Sequence, residues 1–205
     1  MNDVEQMNSA AQHWQIEEQR LVQKLAALHK VSMTLALAPT RDELFRLAVL
    51  LGRQELGFDR LGIFLVDPAH PRKLFGTYGT DAQGQLRPEH SFVIDLEDPN
   101  EQGFLPVYEG TLPLLWHTDY DLYDMHGPMI GRGEWGAAGL WNGSTVTGLI
   151  FADNALTSIP FGESQRQILV LYAQAIGHLY TLHQARAAVE AGREAAEAAN
   201  QAKSI

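Results

Sequence analysis

From about Glu163 to Ile205 the chain runs without a break in helical character, and this run restricts what it can fold into more than any other feature. Forty-odd residues at ~1.5 Å rise each reach about 60 Å, much longer than a domain built from 205 residues is wide. Ile168, Ala175, Leu182, Val189 and Ala196 recur every seven residues, with Tyr172 and Leu179 in intervening positions. Arg186 and Arg193 then replace the intervening apolar residues, so the apolar face thins beyond residue 183. The first half of this helix is expected to pack on a sheet, and the second half, rich in Ala, Glu and Arg, to project.

A second long helix is expected at the other end. Across residues 11 to 38, Trp14, Leu21, Leu28 and Leu35 recur every seven residues and Leu25 fills an intervening position. So narrow a stripe suits a helix that pairs with another helix; a helix docked on its own domain is the alternative. Both terminal stripes together point to a parallel homodimer through Trp14, Leu21, Leu25, Leu28, Leu35, Leu179, Leu182 and Val189. On that reading, glutamate at Leu21 and Leu28 weakens dimerisation and leaves the sheet folded.

Pro39 breaks the first helix. Thr40-Arg41-Asp42-Glu43 reads as a capping box, with the Thr40 hydroxyl and the Glu43 carboxylate covering free N–H groups. The helix it opens runs to about Leu56 and stops at Gly57. Strands are expected over Leu61 to Val66, Lys73 to Thr80 and Ser91 to Leu96, with Asp67 to Pro71 between the first two unable to continue a strand. Two more, Gly136 to Trp141 and Thr145 to Ala152, flank Asn142-Gly143-Ser144, the strongest hairpin signal in the chain. Residues 97 to 135 form a long connection holding one or two short helices. Connections of that length in compact domains usually carry function.

Composition removes several classes of chemistry. With no cysteine there is no disulfide, zinc-thiolate site, thiol nucleophile or thioether-linked chromophore. A formal net charge of −10 without a basic patch argues against nucleic acid. No stretch approaches the ~20 apolar residues that cross a bilayer, and the N-terminus does not read as a signal peptide. The expected location is the cytoplasm. No nucleotide-phosphate loop and no nucleophile-base motif is present, so no catalytic residue and no intrinsic catalysis are expected.

Within the long connection, His117 to His126 holds two histidines and three aspartates in ten residues. Imidazole and carboxylate are competent metal ligands, but the spacing matches no known helical or loop site, and a solvated loop is the default. The aromatic residues invite a small-molecule pocket, with Trp116, Tyr120, Tyr123 and Trp135 as walls and His117, His126, Arg132 and Glu134 as polar anchors. The alternative is that the aromatics complete the core over the sheet.

The order helix, strands, long connection, hairpin, helix resembles the GAF domain, a relative of PAS. Gly57-Phe58-Asp59-Arg60-Leu61-Gly62-Ile63-Phe64-Leu65 resembles the start of that family's first strand. Gly148-Leu149-Ile150-Phe151-Ala152-Asp153-Asn154 looks like its final strand, and Gln167 to Ile176 is similar to the helix that follows. The matches span about residues 20 to 182. Arg193 to Ser204 further resembles the segment leading into the dimerisation helix of sensor histidine kinases, although no histidine here sits in that family's His-Glu motif.

The resemblance implies an α+β fold, a GAF-like antiparallel sheet of five to six strands flanked by helices with long terminal helices. It implies a helix over 1–38, a sensor domain over 39–182 and a linker over 183–205 toward a kinase dimerisation domain that the chain lacks. It implies a sensory domain of a two-component histidine kinase that binds a small molecule, or else a ligand-free dimerisation module relaying signals from another domain. A downstream kinase domain in cis is the implied partner. Without cysteine there is no covalent bilin and no methionine sulfoxide reductase chemistry. The cyclic-nucleotide pattern of the family is missing, and nothing singles out a haem or metal ligand.

Overall fold

A computed structural model describes residues 2–125 and 127–203, with side chains placed over 18–125 and 127–200. Trp14 therefore lies in a described helix but its side chain does not, and His126 lies outside the described residues altogether.

Two helices open the chain, α1 (Asn2–Ala36) and α2 (Arg41–Gln54). Thr40 caps α2, its hydroxyl accepting from the Glu43 N–H at 3.1 Å. The other half of the expected capping box does not form. The Glu43 carboxylate turns instead to Arg46, which donates two bonds of 2.7 Å. Gly57 follows with φ +75°, a backbone that a side chain would strain.

The sheet has seven strands: β1 (Arg60–Asp67), β2 (His70–Thr80), β3 (Leu86–Pro88), β4 (Val93–Asp95), β5 (Leu114–Tyr123), β6 (Met129–Trp141) and β7 (Val146–Asp153). Their order is β3-β2-β1-β7-β6-β5, β4 also pairs with β2, and every pairing is antiparallel. A 3-10 turn (Gln102–Phe104) and one helical turn, α3 (Leu105–Tyr108), cross one face, and α4 (Glu163–Lys203) closes the chain.

Three strand expectations change. Pro68 and Ala69 make a two-residue turn with Asp67 opposite His70, so β2 resumes at His70 and includes Pro71; the pairing with β4 starts only at Lys73, past the proline. The strand expected at Ser91 to Leu96 shrinks to β4, and β3 precedes it. Much of the long connection is itself sheet: β5 and the first half of β6 take up residues 114–123 and 129–135. The Asn142-Gly143 turn is present, with Gly143 at φ +101° and Asn142 Oδ1 accepting from the Ser144 and Thr145 N–H groups.

The three long helices cover one sheet face. Leu28, Val31 and Leu35 of α1, Leu44, Phe45 and Ala48 of α2, and Ile168, Tyr172 and Ile176 of α4 pack on Leu61, Ile63, Leu140 and Ile150. Tyr172 donates to the Ala48 carbonyl at 2.6 Å, tying α4 to α2 inside the core. At Gly177 α4 comes so close to β6 that an added Cβ would stand 2.6 Å from the Leu140 carbonyl carbon and 2.7 Å from the Trp141 oxygen. From Gln184 onward every residue with a described side chain is exposed. The opposite face carries a smaller core of Phe64, Leu74, Ile94, Leu96, Val107 and Leu149.

This packing divides the proposed dimer stripe. Leu28 and Leu35 are buried in the chain's own core, and Leu179 packs partly against it. The reason is that α1 lies against α4 and the end of α2, so its stripe is used within the chain. Glutamate at Leu28 would therefore disrupt the fold itself. Leu21 is half-buried, whereas Leu25, Leu182 and Val189 remain exposed, as do Val22 and Met33.

Candidate functional site

On the sheet face away from the helices lies a cavity of about 350 Å³. Strand alternation builds it. Ile63 and Leu65 point to the helices while Phe64 between them points the other way, and in β7 Ile150 and Phe151 divide likewise. Phe64, Phe151, Phe104 and Trp135 form an edge-to-face aromatic wall, with ring centroids 5.6, 5.2 and 5.8 Å apart in successive pairs. Tyr120 to Met125, at the end of β5 and beyond, form one rim, and Glu89, Ile94 and Glu101 the other.

The polar end is charged and buried. Arg60 and Asp153 are register partners across β1 and β7, and the guanidinium donates to Asp153 at 3.0 and 2.7 Å. Its Nη2 also holds the Tyr123 carbonyl at 2.9 Å. Arg87 grips Asp124 with bonds of 3.1 and 2.7 Å and reaches Glu89 Oε1 at 3.2 Å. Glu89 lies over strand glycines: a Cβ at Gly79 would stand 2.2 Å from its carboxyl carbon, so the bare backbone clears its berth.

Three buried polar atoms of lining residues have no hydrogen-bond partner among the described residues: Arg60 Nη1, Glu89 Oε2 and Trp135 Nε1. Such groups are costly unless something fills them. Burial pushes the Glu89 carboxyl above the ordinary glutamate range, against the opposing pull of Arg87 and Arg60. The folded state thus holds this proton more tightly than the unfolded chain does. Its contribution to stability is full below the ordinary glutamate value and is lost as pH rises through the raised one. Asp67, Asp95 and Asp119 are shifted the opposite way by their hydrogen bonds and act at lower pH. Glu89→Gln should therefore melt above the wild type at neutral pH, with the gap closing on acidification; thermal melts from about pH 4 to 8 read this.

The anticipated ligand residues scatter. Tyr120, Tyr123 and Trp135 line the cavity. His117 stacks on Trp135 at 4.9 Å but is exposed. Trp116 lies on the helix face instead, 5.1 Å from Phe161 and under the Arg166 guanidinium, because neighbours along a strand point to opposite faces. Glu134 accepts from the Phe161 N–H at 3.0 Å and fixes the approach to α4. Arg132 is exposed and pairs with Asp119 and Asp121, so residues 117–123 of this polar stretch form an ion-paired edge strand. Among the described residues, no three His, Asp or Glu side chains are grouped to hold a metal ion, and no described helix is long and apolar enough to cross a membrane.

Arg60, Arg87, Glu89, Asp124 and Asp153 were missed as site residues. The available signals were a lone arginine at the start of an apolar strand and Gly62, Gly76 and Gly79 within strands, which mark close approach. The two motifs behind the family resemblance meet here, since Arg60 belongs to one and its partner Asp153 to the other. Asn154, which ends the second motif, accepts from the Glu134 N–H at 2.7 Å and donates to the Ile159 carbonyl at 3.0 Å.

No family model matches the chain, and no curated protein matches it. Solved structures do match. The GAF domain of a phosphoenolpyruvate-protein phosphotransferase from Coxiella burnetii aligns with a TM-score of 0.63 and 14% identity, over 82% of this chain and 98% of that one. Residues 122 to 287 of a methyl-accepting chemotaxis protein align with a TM-score of 0.52 and 13% identity, over 75% and 96%. A bacteriophytochrome from R. palustris aligns with a TM-score of 0.59 and 15% identity, over 81% of this chain and 38% of that one. The chain has the GAF fold: an open antiparallel sheet flanked by helices, with a long C-terminal helix.

Proposed function

We propose that the chain is a cytoplasmic sensory module in which a small molecule held on the open face of the sheet sets the position of α4, and α4 passes that state to an output of the histidine-kinase type in cis. The observation that carries this reading is the cavity itself, about 350 Å³ with buried, unpartnered Arg60 and Glu89 atoms. That is within the usual range for ligand sites, apolar walls with a few convergent polar groups. The route to the helix is short. Trp135 lines the cavity at one point of β6, and Gly177 of α4 rests on the Leu140–Trp141 backbone a few residues on. The chemotaxis protein and the phytochrome among the structural matches lend the sensory reading support, and the resemblance of Arg193 to Ser204 supports the kinase output. The chain itself carries no catalysis on this reading; incubation with radiolabelled ATP should give no phosphoprotein.

Native mass spectrometry of the chain, before and after exposure to a cellular metabolite extract, tests the sensory reading. A bound small molecule released on denaturation is the expected result. A chain that takes up nothing, with an unchanged melt, would favour a ligand-free relay module.

The proposed signalling form is a dimer through the exposed parts of the terminal helices. Leu182 is 46% and Val189 72% exposed, so neither supports the subunit's own fold. Glutamate at both positions should leave the subunit folded, with an unchanged circular-dichroism spectrum, and weaken association strongly, since each buried side chain contributes roughly 1.5–3 kcal/mol. The melt should fall only by the stability that association supplies. Sedimentation velocity at micromolar concentration measures it, and a wild-type chain that runs as a monomer refutes the dimer.

A further inference from the structure

The geometry points to an uncharged, planar ligand that presents an N–H donor beside a carbonyl acceptor, the edge of a lactam, to Glu89 Oε2 and Arg60 Nη1. This rests on the sensory reading of the cavity and specifies its ligand class. Both side chains are more than nine-tenths buried, Glu89 at 3% and Arg60 at 8% exposure, and both atoms lack a partner. Arg60 Nη1 stands 3.8 Å from Asp124 Oδ1, beyond hydrogen-bond reach. One atom is a donor that needs an acceptor; the other belongs to a carboxyl whose partner on Oε1 is already Arg87. A Cβ built at Gly62, two residues along β1 from Arg60, would stand 3.4 Å from Glu89 Oε2, and Arg60, Gly62 and Glu89 line the same cavity, so the two groups share one end of it.

Charge excludes an acidic ligand. The two guanidiniums at this end are already matched: Arg60 by Asp153, and Arg87 by Asp124 and Glu89. Glu101 and Asp121 also line the cavity, and Asp121 is taken by Arg132. A ligand carboxylate or phosphate would enter a site with no unmatched cation and several carboxylates. A purely cationic ligand would leave Arg60 Nη1 without an acceptor. A ring matches the wall, since Phe64, Phe104, Phe151 and Trp135 offer a contiguous aromatic surface on which a flat body can pack.

Isothermal titration of the full chain with quinazolin-4-one, a neutral bicyclic lactam, tests this. Saturable one-to-one binding is expected. The N3-methyl analogue, which loses the donor, should bind about tenfold more weakly or worse, and 2-naphthoate, an anion of similar size, weaker still. Glu89→Met keeps the side-chain length without the acceptor and should weaken quinazolin-4-one to the level of the methylated probe; its melt reports whether it is folded, and the methylated probe on wild-type protein needs no variant. Equal binding of the two lactams, or tighter binding of the naphthoate, overturns the ligand class and leaves the cavity as a sensor site. No binding by any probe overturns the ligand class; if metabolite extract also gives no adduct, the sensory reading falls with it.

Discussion

Alanine in place of Gly177 should destabilise the fold by about 1–3 kcal/mol, and leucine by more, because the new atoms meet backbone and not a movable side chain. The added Cβ would sit 2.6 Å from the Leu140 carbonyl carbon, so α4 or the end of β6 must shift. The sign makes this informative. In an open helix the same change stabilises by about 0.8–1 kcal/mol, since alanine is the better helix former. Gly192, in the projecting half of α4 with nothing within 4 Å of its Cβ position, supplies that control. Urea melts of the two alanine variants should move in opposite directions, or Gly192→Ala should leave the global midpoint in place if the projecting half melts separately. If Gly177→Ala matches or exceeds the wild type, α4 is not seated on the sheet at this point, and the proposed path from cavity to helix loses its contact.

Removing Arg60 should be the other severe change. Arg60→Met strands Asp153, whose side chain is only 15% exposed, and breaks the bond to the Tyr123 carbonyl. Losing one partner of a buried pair costs about 3–5 kcal/mol. Adding Asp153→Leu should recover part of that, because the uncompensated charge is then gone. Recovery stays incomplete because Asp153 Oδ1 also accepts from the Ala155 N–H at 3.0 Å. A double-mutant cycle by denaturant melts measures the coupling, and a coupling near zero would mean that the pair contributes nothing to joining β1 to β7.

The parts of this fold that could be read from residues are those whose cause is local. Thr40 caps α2, Gly57 ends that region with positive φ, and Asn142-Gly143 turns the β6–β7 hairpin, each through its own backbone or a neighbour's. The projecting half of α4 was legible for the same reason: its apolar positions run out along one helix face. β5 was not legible. Only Leu122 in it is buried, and its polar and aromatic residues alternate without a clean apolar face, as befits an edge strand. The site divides the same way. Tyr120, Tyr123 and Trp135 could be suspected from an aromatic-rich connection. Arg60 with Asp153, and Arg87 with Asp124, are pairs made by strand register and chain crossing, separated by dozens of residues in sequence. Nothing local tells a buried Glu89 from a solvated one.

The two margins of the sheet both carry features that discourage edge-to-edge pairing. One margin is held by β3 and β4, three residues each, with Pro88 ending the first. The other is β5, where the pairing with β6 skips between His117 and Tyr120 and Asp119 sits at φ 54°. Arg132 links to Asp119 and Asp121 across that irregularity. Short strands, a kinked border and fixed charges are poor templates for a further strand. Edge-to-edge pairing through the sheet is thereby disfavoured, and the dimer proposed above would draw on the exposed apolar residues of the terminal helices, Leu182 and Val189 among them, and not on the sheet.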